Sequence, residues 1–490
     1  MDRVEFTSTV ATIKSVLCAI ILACCVTAAR AGDVTVTIDD TRVTHTVSDR
    51  FGGTNLVSMW NPNGINNGSA AAFKNMEMKL LRFPGGVPAH WYNWKEPLAT
   101  GFTNMTPEMA WKFADYGGAE MILQTNTAQD VQKKSKKGTP YTLTSNADHQ
   151  AGWVKAAKQE GIKVAFWEIG NEPENDAPAG IKGNDDRVYK WYNAKFAEQA
   201  KAIKAVDKDA KIMGPASTNE YFWWKMNDLD KFLSAHGNKH GTGLVDAISL
   251  HYYPDAGEAK NWAKKRAIPQ EWVKRMDYIR SIIAKNDSRD LPVYLTEWNF
   301  AAGDKNLSSE QISTALGCAD MVGMFLRTGV AGHTHFCFQH IKKNWGVLAS
   351  QGDAKPENAP SPTYFALAMT NLLGSSVLES RCSAEEGNTL SAYATRSGDQ
   401  SIRVMLINKS AEKQSVQINL GHAPGATATV YTLAGASGGI ENTEVVYNGA
   451  RSPSAVDALP KPALLKIEKG LTIPMTPYSM TVVVLGGKIE

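Results

Sequence analysis

The chain reads as an α/β protein: a closed (β/α)8 (TIM) barrel followed by a C-terminal β-sandwich that also takes an N-terminal strand. Three observations predict it. Eight short apolar runs alternate with helical stretches from about residue 50 to 372. That alternation stops near residue 375, after which the runs are strand-like only. Finally, no Gly-x-Gly-x-x-Gly turn follows the first run, which counts against an open doubly wound sheet.

Taken in order, Lys14 precedes the apolar run Val16 to Val26, and Ala29-Arg30-Ala31 is a small-x-small cleavage site. Residues 1–31 are therefore expected to be a signal peptide, and the mature protein to be secreted or periplasmic. The run is too short to stay in a bilayer. Ile21-Leu22-Ala23-Cys24 loosely resembles a lipoprotein cleavage box, although Leu22 fits it poorly. Val34 to Ile38 alternates with period two and is expected to close an edge of the sandwich, giving residues 32–50 to that domain. The barrel, residues 51–374, takes its strands from Phe51 to Ser58, Lys79 to Phe83, Met121 to Thr125, Lys163 to Ile169, Lys211 to Gly214, Ala247 to Tyr252, Val293 to Thr296, and His333 to Phe338. In one intervening segment Trp272, Met276, Ile279 and Ile283 make a single helical face. Residues 375–490 form the second domain, with strands at Leu390 to Thr395, Ile402 to Ile407, Val416 to Leu420, Ala428 to Leu433 and Met480 to Leu485. No low-complexity linker separates the two, which points to a fixed interface.

At 490 residues the chain exceeds what one core usually fills. A formal net charge of +3 gives no electrostatic case for nucleic acid or an anionic membrane, and no later segment is apolar enough to span a bilayer. Cys318, Cys337 and Cys382 remain after cleavage, an odd number without metal-ligand spacing. His333, His335 and His340 lack an identifiable third partner for zinc, so neither a catalytic metal nor a cofactor is expected.

Two acids carry the chemistry. Lys163 to Phe166 leads into Trp167-Glu168-Ile169-Gly170-Asn171-Glu172-Pro173, and Pro292 to Thr296 leads into Glu297. Two carboxylates at the C-terminal ends of two barrel strands share one mouth, and such a pair is what glycosidic bond cleavage needs. In that chemistry Glu172 must hold a proton and Glu297 must stay ionised, while Asn171 is placed to donate to a sugar hydroxyl. The paired glycines of Arg82-Phe83-Pro84-Gly85-Gly86 suit a tight turn that brings backbone to the cleft. A guanidinium at Arg82 would keep a neighbouring carboxylate ionised.

Asn171-Glu172-Pro173 after the fourth run, with Thr296-Glu297-Trp298-Asn299 at the seventh, resembles the motif pair of clan A, the (β/α)8-barrel retaining glycosidases. The resemblance implies a double displacement with Glu172 as acid/base and Glu297 as nucleophile, and a carbohydrate substrate. It implies that Arg82 reaches toward the nucleophile and that His251 and Tyr253, from His251-Tyr252-Tyr253, lie beside it. Trp298, Gln339, His340 and Trp345 are further cleft candidates. Within the clan, Arg82 to Gly86 followed by Tyr92-Asn93-Trp94 looks most like the α-L-arabinofuranosidases, with β-xylosidase and β-glucuronidase types close by. Two departures leave the sugar open: Val87 stands where an Asn is usual, and Gly53-Thr54-Asn55-Leu56 lacks the usual substrate-binding Glu. Other specificities (heparanase-like, endoglucanase), transfer to an acceptor sugar, elimination from uronates, and sugar binding without turnover all remain compatible with these residues. Oligomeric state is not legible.

Overall fold

The structure, a computed structural model, describes residues 32–59, 65–97, 105–127, 131–134, 140–176, 187–218, 228–254, 262–300, 310–340, 345–353, 355–422, 425–467 and 470–486. The expected signal peptide, Lys342, Lys343 and the side chain of His340 lie outside them.

Eight parallel strands close into a barrel: Gly52–Asn55, Leu80–Phe83, Glu120–Thr125, Val164–Ile169, Ile212–Ser217, Ala247–Tyr252, Val293–Trp298 and Gly332–His335, hereafter the first to eighth strands. Each corresponds to one of the eight expected runs. Helices such as Ala147–Gln159, Arg187–Val206, Trp272–Asn286 and Ile312–Arg327 surround it. Trp272, Met276, Ile279 and Ile283 are all buried on one side of their helix, as the periodicity predicts. Among the described residues no helix is long and apolar enough to cross a membrane.

Strand alternation builds the interior in tiers. Leu80, Ile122, Phe166, Met213, Ala247 and Tyr294 form an apolar floor, with Phe166 and Tyr294 meeting across the barrel at 4.8 Å between ring centroids. Two residues further along their strands the inward positions become polar: Arg82, Gln124, Glu168 and Ser249, all fully buried. The outward residues between them, Leu81, Leu123, Trp167 and Ile248, pack under the helices.

The seventh strand breaks this rhythm in a useful way. Leu295 pairs with Leu250 and Glu297 with His251, so one extra residue bulges between them. Without it, Glu297 would follow the outward series of Leu295. The bulge turns it to the interior, and Trp298 returns to the helix layer. A second bulge in the fifth strand, between Pro215 and Ser217, leaves Ala216 at φ +52°.

Apart from two short two-stranded pairs, the remaining described strands form one mixed sheet. Its hydrogen-bonded order includes Ser479–Leu485, Ile402–Asn408, Leu390–Arg396, Ser376–Cys382, Gly32–Thr46, Gln414–Leu420 and Leu471–Met475. Side chains from strands far apart in that order, Leu406, Val483, Val36 and Ile473 among them, share one core, so the sheet curls around itself. The N-terminal strand is not at an edge, as its sequence suggests, but inside the sheet. It pairs antiparallel with Ser376–Cys382 and parallel with Gln414–Leu420, and Val36 is fully buried. Both of its edges have backbone partners, while one face, Val34, Val36 and Ile38, is buried and the other exposes Thr37 and Asp39.

The sheet's other face, with Tyr393, Met405, Ile407, Met480 and Val482, packs on the barrel's own core. There Lys409 Nζ meets Asp320 Oδ2 at 2.7 Å with both side chains out of solvent, and the Tyr393 hydroxyl donates to Asp320 Oδ1 at 2.7 Å. Gly323 allows the approach, since a Cβ there would lie 2.2 Å from the Tyr393 ring. The interface is thus a packed and hydrogen-bonded one, as the missing linker suggests.

Candidate active site

The fourth and seventh strands deliver the two acids to the same mouth. Glu172 follows Ile169 by a turn through Gly170 (φ +81°) and itself sits at φ +41°, a conformation that a glutamate adopts only when its surroundings enforce it. Its N–H donates to Ala216 O at 2.8 Å, tying it to the bulged end of the fifth strand. Glu297 is nearly buried on its strand.

His251, the inward residue that ends the sixth strand, stands between them. Its Nδ1 lies 2.9 Å from Glu172 Oε1 and 2.9 Å from Glu297 Oε2. One oxygen of each carboxyl and a His251 nitrogen all fall within 4.8 Å of one another. That separation matches the spacing of about 5 to 5.5 Å used when one acid attacks the sugar, and is shorter than the roughly 6.5 to 9.5 Å that leaves room for an interposed water.

Arg82 underlies the pair. Fully buried, it donates to three side chains and approaches two more: Nε to Glu168 Oε2 (2.6 Å), Nη1 to Asn55 Oδ1 (3.0 Å) and Nη2 to Asn171 Oδ1 (2.9 Å), with His251 Nε2 3.2 Å from Nη2 and Glu297 Oε2 3.5 Å from Nη1. Gln124 continues the network, donating to Asn171 Oδ1 (3.2 Å) and accepting from the N–H groups of Gly85 and Gly86 at 2.9 and 3.1 Å. Asn171 Nδ2 is buried and has no acceptor among the described residues, so it is the amide end left to meet a ligand. Gly86, at φ +73°, brings the turn so close that a Cβ would lie 3.3 Å from Glu297 Oε1.

The charges sort themselves by their surroundings. Burial alone would raise the Glu297 carboxyl. The positive charge and hydrogen bond of His251, the Arg82 guanidinium and the hydroxyl of Tyr253 outweigh it and bring Glu297 down to about 2. Burial would likewise strip the proton from His251, and Arg82 works in the same direction. The charge of Glu297 and the hydrogen bonds of both acids win, so His251 is held up to about 9. Tyr253, half-buried and facing Glu297, keeps its phenolic proton and gives it as a hydrogen bond. Glu172, His251 and Glu297 are close enough to ligate a cation, but an imidazolium has no lone pair to offer one.

The other expected residues divide. Trp345 is half exposed and stands in an apolar wall with Tyr253, Phe336 and Met59. Trp298 is not in the cleft: it is fully buried, donates Nε1–H to His333 Nδ1 at 3.1 Å and meets Phe325 edge-on. The bulge that turns Glu297 inward sends its neighbour outward. Gln339 uses its amide on Ala349 O (3.4 Å) and Asn358 Oδ1 (3.1 Å), bracing the segment after the eighth strand. His333 and His335 are core residues whose burial pushes each down to about 3. Cys318, Cys337 and Cys382 are free thiols, the first two buried. Sequence reasoning passed over Asn55, His90, Gln124, Glu168, Glu174 and Phe336. His90 Nε2 meets the Asn171 carbonyl at 2.7 Å, and Glu174 is buried two residues beyond Glu172. A polar or charged residue inside an apolar run, as at Gln124 and Glu168, was the signal available.

Residues 153–416, from the helix before the fourth strand into the second domain, match the family described as glycosyl hydrolases family 39. The chain belongs to that family. The matched span holds both acids and His251, while Arg82 precedes it. This family 39 chain is also 23% identical over 259 residues to an intracellular exo-α-(1→5)-L-arabinofuranosidase of Halalkalibacterium halodurans, covering 46% of this chain and 47% of that protein. It is 24% identical over 267 residues to a β-xylosidase of Geobacillus stearothermophilus, covering 52% and 49%. The chain thus spans about half the length of each of these relatives. Among solved structures, a GH51 arabinofuranosidase from Xanthomonas axonopodis pv. citri superposes with a TM-score of 0.69 at 14% identity, over 93% of this chain and 100% of that one. At that identity the likeness is one of fold: a barrel with a sheet domain drawn from both ends.

Proposed function

We propose that this protein is a retaining glycoside hydrolase, with Glu297 as nucleophile and Glu172 as acid/base. The observation that carries the reading is the spacing of the two carboxyls across His251. Glu297, held ionised by His251, Arg82 and Tyr253, attacks the anomeric carbon while Glu172 gives its proton to the departing oxygen. Glu172, now charged, then takes a proton from the water that releases the sugar from Glu297. Asn171 Nδ2–H is the donor available to a ring hydroxyl during both steps. The half-exposed Trp345 and the phenol of Tyr253 supply an apolar wall for the sugar's C–H face.

Pentosides are the first substrates to try, because the family 39 match sits beside relatives named as an arabinofuranosidase and a β-xylosidase. The apolar run and cleavage site within residues 1–31 support action outside the cytoplasm. Glu297→Gln is expected to abolish turnover of the best aryl glycoside, by more than about a thousandfold, with the thermal transition preserved. Unchanged turnover would remove the assignment. Proton NMR of the first-formed anomer should show retention, and an inverted product would refute double displacement. Glu172→Ala should slow poor leaving groups far more than activated ones and be rescued by azide.

A further inference from the structure

A third carboxyl lies beside the pair, and the mechanism above does not use it. Glu174 sits on the four-residue helix Pro173–Asp176 that directly follows Glu172. It is 5% exposed. Its Oε1 accepts the N–H of Thr218, just beyond the fifth strand, at 2.7 Å, and its buried Oε2 has no partner among the described residues. Together with the bond from Glu172 N–H to Ala216 O, this makes two links between the turn after the fourth strand and the end of the fifth. The same short helix carries Asn175, whose Nδ2–H donates to Glu172 Oε2 at 2.7 Å. Any swing of the helix therefore carries the acid/base carboxyl with it.

We propose that Glu174 is a positioning residue for the acid/base: by clamping the Pro173–Asp176 turn to Thr218, it holds the Glu172 carboxyl against the leaving-group oxygen. The proposal rests on the assignment of Glu172 made above. Two further observations favour it. Glu172 at φ +41° and Ala216 at φ +52° are both in the left-handed region, and such backbones persist only where neighbouring contacts over-determine them. Glu174 also does this work without adding charge. Burial first, and then the neighbouring Glu172, raise its carboxyl to about 8, so it accepts the Thr218 N–H as a neutral acid. An ionised side chain in this place would set another negative charge beside the two reacting acids. Glutamine reproduces the neutral acid's shape and acceptor; alanine and methionine do not.

The test compares wild type with Glu174→Ala, Glu174→Met and Glu174→Gln on aryl pentosides whose leaving groups range from dinitrophenol to weakly acidic phenols. Misplacing a proton donor by about an ångström costs on the order of a hundredfold. The Ala and Met variants should therefore lose roughly ten- to a hundredfold in kcat/KM on the poorest leaving groups. On dinitrophenyl glycosides, whose first step needs no protonation, the loss in kcat/KM should be under about threefold. Glu174→Gln should restore the poor-leaving-group rate. Met fills the buried volume, so it decides the matter if the Ala variant does not fold. Equal losses on every leaving group, no loss at all, or a Gln variant as poor as Met would overturn the proposal while leaving Glu172 in its role. A Glu172→Ala variant with no change in leaving-group dependence would instead overturn the assignment beneath it.

Discussion

Two of the buried ionic clusters among the described residues behave differently. At the domain interface Lys409 and Asp320 form a pair with one charge of each sign, closed off by the Tyr393 hydroxyl, the Arg266 carbonyl and the packed helix Ile312–Arg327. At the barrel mouth four carboxyls, Glu168, Glu172, Glu174 and Glu297, share Arg82 and His251. The interface balances on its own and has one arrangement. The mouth carries more acids than cations, so protons must be redistributed: Glu174 is raised, Glu297 lowered, and His251 kept charged. A balanced buried pair holds two domains together, whereas an unbalanced cluster can pass a proton on. That is the physical difference between an ionic contact for structure and one for chemistry.

Removing the cation from each network should separate the two most sharply. Lys409→Met leaves Asp320 buried without its counter-charge and should cost about 3 to 5 kcal/mol of stability, with kcat per folded molecule unchanged. Adding Asp320→Leu should recover much of the loss. Arg82→Met should lose comparable stability and also on the order of a hundredfold in kcat/KM, because Glu297, Asn171 and His251 all lose their anchor. Denaturant melts paired with active-site titration measure both. Equal kinetic damage from the two variants would erase the distinction.

A smaller effect is expected at Tyr253→Phe. It removes one hydrogen bond to an ionised carboxylate and should lower kcat/KM by about tenfold, since such bonds are worth about 1.5 to 3 kcal/mol. The acid limb of the profile should move up in pH, because Glu297 loses a group that holds it ionised. A fixed limb would assign the hydroxyl to sugar binding instead.

The smallest effect is on stability against pH. Folding raises Glu174 from 4.5 to about 8 and His251 from 6.5 to about 9, so the native state holds more protons than the unfolded chain in those windows. Their contributions are complete below the lower values and are lost as pH rises through about 8 and about 9. Glu297 works oppositely: lowered from 4.5 to about 2, it contributes above 4.5 and is lost as pH falls through about 2. Glu174→Gln should therefore gain in melting temperature relative to wild type as pH rises from about 4.5 to 8. A constant difference would show that Glu174 is not protonated in the fold. The interface offers a control, since the Lys409→Met/Asp320→Leu double variant removes both charged groups there and should not reshape that curve.

Several parts of this protein were written in its residues alone. Alternating apolar runs and helical faces marked all eight barrel strands in order, because burial between a barrel and its helices imposes a local period that needs no knowledge of the partner. The ends of the fourth and seventh runs placed Glu172 and Glu297 at the same mouth for the same reason. What the chain alone could not decide was which way a side chain turns once a strand departs from strict alternation. The bulge before Glu297 turned that residue inward and sent Trp298, a cleft candidate, into the helix layer, and it becomes visible only in register with the sixth and eighth strands. Nor could it place the N-terminal strand between two partners more than 300 residues away, or show that Glu174 and Glu172, two residues apart, meet such unequal surroundings. Those outcomes depend on distant neighbours and on how much water they exclude, and only the folded chain brings those neighbours together.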